Sequence, residues 1–67
     1  MDEYSRILIE RYCMSHNSAK SRHLFELVWL SEGTDADAIF LEKAIRNEKD
    51  SELKAALEDL DSYIFGY

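Results

Sequence analysis

Glu52-Leu53-Lys54-Ala55-Ala56-Leu57-Glu58-Asp59-Leu60-Asp61-Ser62-Tyr63-Ile64 carries the clearest period in the chain. Leu53, Ala56, Leu57, Leu60, Tyr63 and Ile64 recur at i, i+3, i+4 and i+7, the spacing that gathers side chains on one side of a helix. Glu52, Glu58, Asp59 and Ser62 fall outside that stripe. The stretch predicts a helix with one face in a core and the other in solvent.

Upstream of it, the run Arg46-Asn47-Glu48-Lys49-Asp50-Ser51 is wholly polar. It reads either as a turn or as an exposed stretch of one continuous helix, and a break at Asp50 or Ser51 is the favoured choice. Phe40, Leu41, Ala44 and Ile45 share a broad apolar side, which predicts a third helix before that run. Thr34 followed three residues later by Asp37 resembles a capping box, and Asp35 also suits the positive end of a helix. Gly33 just before it is expected to end a second helix in the C-terminal glycine position.

That second helix is predicted from Asn17 or Ser18, either of which can cap it, through Glu32. Leu24, Leu27, Val28 and Ser31 form one stripe on it, and Phe25 with Trp29 forms an adjacent aromatic one. The arc is wider than one contact needs. A first helix is predicted from about Asp2 to about Ser15, with Tyr4, Leu8 and Tyr12 on its apolar side and Ile7 and Ile9 widening the stripe. Strict alternation of apolar and polar residues, the mark of a half-buried strand, occurs nowhere. The expectation is an all-α fold, a small bundle of three to four short antiparallel helices in a single domain over residues 1–67, with helices three and four either separate or continuous.

A chain of 67 residues without proline and with two glycines leaves no room for an interdomain linker. Domains this small usually gain stability from staples or partners. Cys13 is the single cysteine, so an internal disulfide is excluded and a reducing compartment fits. The longest apolar run, Leu27-Val28-Trp29-Leu30, is far too short for a membrane span, and Met1-Asp2-Glu3 does not resemble a signal peptide. A cytoplasmic protein with no membrane partner is expected.

Eight basic and fourteen acidic side chains give a net charge of −6, which repels nucleic acid and anionic lipid, so direct nucleic-acid binding is not expected. Residues 1–32 hold four basic and five acidic groups, and residues 33–67 hold four and nine, so −5 of the −6 lies after Glu32.

Cys13, His16 and His23 are the soft metal ligands besides methionine, one short of a structural zinc set, and the nearby carboxylates have no ligand spacing. Cys13 with His16 lacks the orienting group and oxyanion site that nucleophilic catalysis needs. Gly33 and Gly66 cannot build a phosphate-cradling loop. The sequence therefore predicts no cofactor, no metal and no enzymatic activity. Asp50-Ser51 before an acidic amphipathic run resembles the phosphopantetheine attachment site of acyl carrier proteins, small acidic helical bundles. Those proteins carry Asp-Ser-Leu where this chain has Asp-Ser-Glu, and helix capping alone accounts for Ser51.

Glu58, Asp59 and Asp61 stand in the last helix, near the negative end of its dipole, where local stability does not favour carboxylates. Beside them are Tyr63, Ile64, Phe65 and Tyr67. Acids next to aromatic anchors make a partner-binding surface, with Glu58, Asp59, Asp61, Tyr63, Phe65 and Tyr67 as its candidate residues. The bland alternative is that the acids only solubilise, while Tyr63 and Ile64 complete the core and Phe65 and Tyr67 fold back over it. Phe25 and Trp29 are the candidate oligomer interface, including a homodimer.

The leading expectation is a small acidic regulator or inhibitor that occupies a basic site on a partner protein. A nucleic-acid-processing enzyme is a natural target, as for immunity, antitoxin or anti-defence proteins, because an acidic surface can mimic phosphate. The alternative is a structural or chaperone-like helical subunit of a homo- or hetero-oligomer, burying Phe25 and Trp29 with Ile7 and Ile9.

Overall fold

The structure, a computed structural model, describes residues 2–30 and 32–66. Among them every regular element is an α-helix: α1 (Glu3–His16), α2 (Ala19–Leu30), α3 (Asp35–Asn47) and α4 (Ser51–Phe65). α1 packs on both α2 and α4, α4 packs on both α1 and α3, and α2 meets α4 less extensively. The protein is a small all-α bundle. Its Cα radius of gyration of 10.3 Å is close to the roughly 11 Å that a compact chain of this length should have.

The predicted period of α4 is the one that builds the core. Leu53, Ala56, Leu57 and Leu60 are buried together with Leu8, Ile9, Tyr12 and Cys13 of α1, Leu24, Leu27 and Val28 of α2, and Leu41 of α3. Phe40, Ala44, Ile45, Ile64 and Phe65 pack against this cluster half-buried. Ile9 had been grouped with the surplus apolar residues, yet it is fully buried, because α1 touches neighbours on two sides and uses a wider arc than one stripe. Tyr4 and Tyr63 fall outside the core and are exposed. The Tyr4 hydroxyl instead donates a 2.5 Å hydrogen bond to Glu52, linking the first turns of α1 and α4.

Local polar chemistry sets the breaks. Asn17 ends α1 in the left-handed region (φ 34°, ψ 55°), where asparagine is among the better-tolerated residues, and its amide donates to the Cys13 carbonyl. Ser18 then caps α2: its Oγ accepts from the Ser21 amide, and Ser21 Oγ accepts from the Ser18 amide, each at 3.1 Å. The exchange satisfies two amides that a helix start leaves open. The turn is closed further by Cys13, whose Sγ donates to the Ser21 carbonyl at 2.5 Å.

α3 and α4 are separate helices, so the continuous alternative is not realised. Glu48 Oε1 accepts from the amides of Lys49 and Asp50, and Asp50 Oδ1 accepts from those of Glu52 and Leu53. Asp50 is thus the cap, and Ser51 is the first helical residue rather than the capping one. Two carboxylates turn the chain where side chains offered no apolar contact to continue the helix.

Gly33 does not occupy the expected left-handed cap. α2 ends at Leu30, short of Glu32, and Gly66 is the one glycine with positive φ (70°), ending α4. What Gly33 supplies is space: a Cβ there would stand 2.8 Å from Phe65 Cζ and 3.0 Å from Ile64 Cγ2. The end of α4 therefore folds over the connection between α2 and α3. Ser31, assigned to the α2 stripe, and Tyr67, assigned to the partner surface, lie outside the described residues.

Candidate functional site

The acidic residues of α4 do not form one cluster. Side chains two apart on a helix point about 200° from each other, so Asp59 and Asp61 look to different sides. Glu58, three before Asp61, shares its side. Glu58 and Asp59 are exposed, whereas Asp61 is half-buried. Phe65 is engaged against Gly33, and Tyr63 is 42% exposed.

Asp61 lines a shallow groove of ≈ 260 Å³ with Ala38, Ile39, Glu42 and Ile45 of α3. Burial raises its pKa above the ordinary aspartate value, and the Glu42 carboxylate raises it further. Glu42 is already paired with Arg46 at 2.8 Å, and among the described residues Glu58, Asp59 and Asp61 form no ion pair. Ile39 is 55% exposed at the groove. The site thus has an aliphatic wall and an acidic rim, a shape that accepts the stem and head of a lysine or arginine. Ile39 and Glu42 were not among the residues expected here. Ile39 lies two positions before Leu41 and so on nearly the opposite side of α3, a signal the sequence did contain.

The second expected surface is on α1 and α2. Trp29 is 65% exposed and Phe25 half-buried. Ile7 is 52% exposed in the same groove as Trp29 and Phe25, which Glu3, Arg6 and Glu10 also line. A neighbouring groove shares Glu10 and Phe25 and adds Cys13, Met14, Asn17, Arg22 and Glu26. Arg6 holds its guanidinium 4.7 Å from the centre of the Trp29 ring, a cation–π contact between helices that sequence spacing could not reveal.

The cysteine and histidines have separate local roles. Burial raises the pKa of the Cys13 thiol, so it is a poor nucleophile. His16 stacks on Tyr12 with ring centres 4.0 Å apart, and its Nε2 is 3.8 Å from Glu48. His23 Nε2 lies 3.5 Å from Asp37. Among the described residues no three histidine, cysteine, aspartate or glutamate side chains converge as metal ligands. A groove of ≈ 530 Å³ runs between Tyr12 and His16 of α1 and Phe40, Lys43 and Asn47 of α3.

No helix among the described residues is long and apolar enough to cross a membrane. No family model, no curated protein and no solved structure matches this chain.

Proposed function

We propose that the protein is a small protein-binding regulator or inhibitor that docks its acidic α3–α4 face on a basic surface of a partner protein. The observation that carries this reading is Asp61, half-buried in the groove it lines with Glu42 and Ile39 and without an ion pair of its own among the described residues. Arg46 answers Glu42 and not Asp61, so a lysine or arginine of the partner would gain from the Asp61 charge and the Ile39 wall. A nucleic-acid-processing enzyme offers such residues in its phosphate-binding cleft, which makes it a suitable target for inhibition by mimicry.

Affinity capture from the source cells names candidate partners, and calorimetric titration with each purified partner then tests the surface. Affinity should fall steeply with added salt, and Glu42→Lys with Asp61→Lys should weaken binding by tenfold or more. Asp59→Lys, on another side of α4, should do much less. Binding that ignores salt, or that Asp59→Lys disrupts as strongly as the groove substitutions, would overturn the proposal. A structural or chaperone-like subunit would instead rest on the exposure of Trp29, and substitutions on α2 separate that reading from this one.

A further inference from the structure

We infer that the groove between α1 and α3 binds a small aromatic carboxylate, held by Lys43 and Lys49 beside the Tyr12, His16 and Phe40 rings. α1 and α3 each pack on α4 but scarcely on one another, which leaves the cleft of ≈ 530 Å³ between them. That volume is within the range of small-ligand sites. Buried Tyr12 with half-buried Phe40 and Ala44 supplies the apolar lining, and His16, stacked on Tyr12, extends the aromatic surface outward. A flat ring can stack on such walls.

Charge sets the sign of the ligand. Lys43 and Lys49 line the groove with Glu48, so two positive charges and one negative leave +1 with His16 neutral. By contrast, Glu42 and Asp61 give the groove at Asp61 −2, and Glu3, Glu10 and Arg6 give the one at Trp29 −1, in a chain of −6. Glu48 is already committed: its Oε1 accepts from the amides of Lys49 and Asp50, and its Oε2 faces His16 at 3.8 Å. Neither lysine forms an ion pair among the described residues. The helical neighbours of Lys43 are Ile39, Phe40, Arg46 and Asn47, none of them acidic. Offsetting the negative end of α3 does not require Lys43 either, because Arg46 already stands in the last turn.

The charge of the whole molecule limits the ligand to one negative group. A polyanion such as nucleic acid is repelled by −6 at long range, whereas a single carboxylate loses little on approach and gains from the two ammonium groups at the rim. Exposed Asn47 beside them offers a further amide donor.

NMR titration of the full chain with cinnamate tests this, beside cinnamyl alcohol and protonated cinnamylamine, which keep the ring and change the charge. Saturable shifts are expected at the amides of Phe40, Lys43, Ala44, Asn47 and Lys49, with a dissociation constant in the low millimolar range or below, the reach of so small a ligand. The alcohol should bind about threefold or more weakly, as loss of an exposed ion pair does, and the amine more weakly still. Lys43→Gln with Lys49→Gln, both at exposed positions and so compatible with folding, should abolish the preference for the carboxylate. Arg11→Gln with Lys54→Gln removes the same charge away from the groove and should preserve it. No saturation through about 20 mM, shifts centred on another groove, or an alcohol or amine that binds as well as the carboxylate overturns the inference. So does a preference that the Arg11 and Lys54 substitutions abolish as fully as those at Lys43 and Lys49.

Discussion

Asp37 ties the start of α3 to α2. It is buried, and its Oδ2 accepts from both the amide and the hydroxyl of Thr34 at 2.9 and 3.0 Å, while Lys20 and His23 of α2 stand 3.8 and 3.5 Å away. Burial pushes its pKa up, but the Thr34 hydrogen bonds, with His23 and Lys20, outweigh that and hold it below the ordinary aspartate value. A carboxyl whose pKa is depressed on folding adds stability above its unfolded pKa and loses it as pH falls through the folded one. Asp37→Asn should therefore lower stability by about 1 to 2 kcal/mol at neutral pH, as loss of a cap does. It should also flatten the acid limb below about pH 4, near the unfolded aspartate pKa. Urea unfolding across that range measures both. Thr34 and Asp37 were legible in sequence because capping chemistry is local. Lys20 and His23 were not, since they arrive from another helix.

Gly33 shows the opposite case. Its identity was visible and its reason was not, because the aromatic that excludes a side chain there comes from residue 65. Gly33→Ala should destabilise the protein by about 1 kcal/mol or more through overpacking. In a Phe65→Ala background the same substitution should cost less, since the ring contact is gone and only Ile64 Cγ2 at 3.0 Å must still give way. A double-mutant cycle by thermal unfolding reads the coupling.

At the scale of elements, the number and approximate limits of the helices could be read from caps and periodicity. Each start has a short polar side chain, and α4 shows how much that contributes: Asp50 holds two amides of the first turn. Asp50→Ala should lower stability by about 1 kcal/mol, with loss of hydrogen-exchange protection confined first to the start of α4. The faces of the helices were harder to read. Tyr63 continues the α4 stripe in sequence but is exposed, and of the two residues that widen the α1 stripe Ile9 is fully buried and Ile7 exposed, because which arc is covered depends on where the neighbours lie.

The same limit applies to the acids of α4, whose adjacency in sequence concealed that they face different sides. Asp61 has a pKa raised by burial and by Glu42, so its folded state holds a proton more tightly than the unfolded chain does. Its contribution is most favourable at low pH and is lost as pH rises through the folded pKa. Asp61→Asn should accordingly raise the melting temperature at neutral pH and leave it little changed in acid. A lower melting temperature at neutral pH would mean that the groove accommodates the charge better than the paired carboxylates imply.

For the whole molecule, the uneven charge that was plain in composition corresponds to a division in space. The near-neutral half, α1 and α2, bears the exposed tryptophan, and the acidic half, α3 and α4, bears Glu58, Asp59 and Asp61, which form no ion pair among the described residues. The face proposed for partner binding lies on the acidic half.

The pairing of α1 with α4 joins helices that lie at opposite ends of the helix order. Contacts between successive helices close short loops, while this one waits for the intervening chain to fold back, and distant contacts form more slowly than local ones. Folding would then proceed as the meeting of two hairpins tethered at residues 32–34. Cutting the tether would turn that meeting into an encounter between separate fragments, and the second-half charge of −5 would find little repulsion in a first half of only −1. Mixed in solution, the two pieces should recover helix content together that neither holds alone, at a rate set by their concentration.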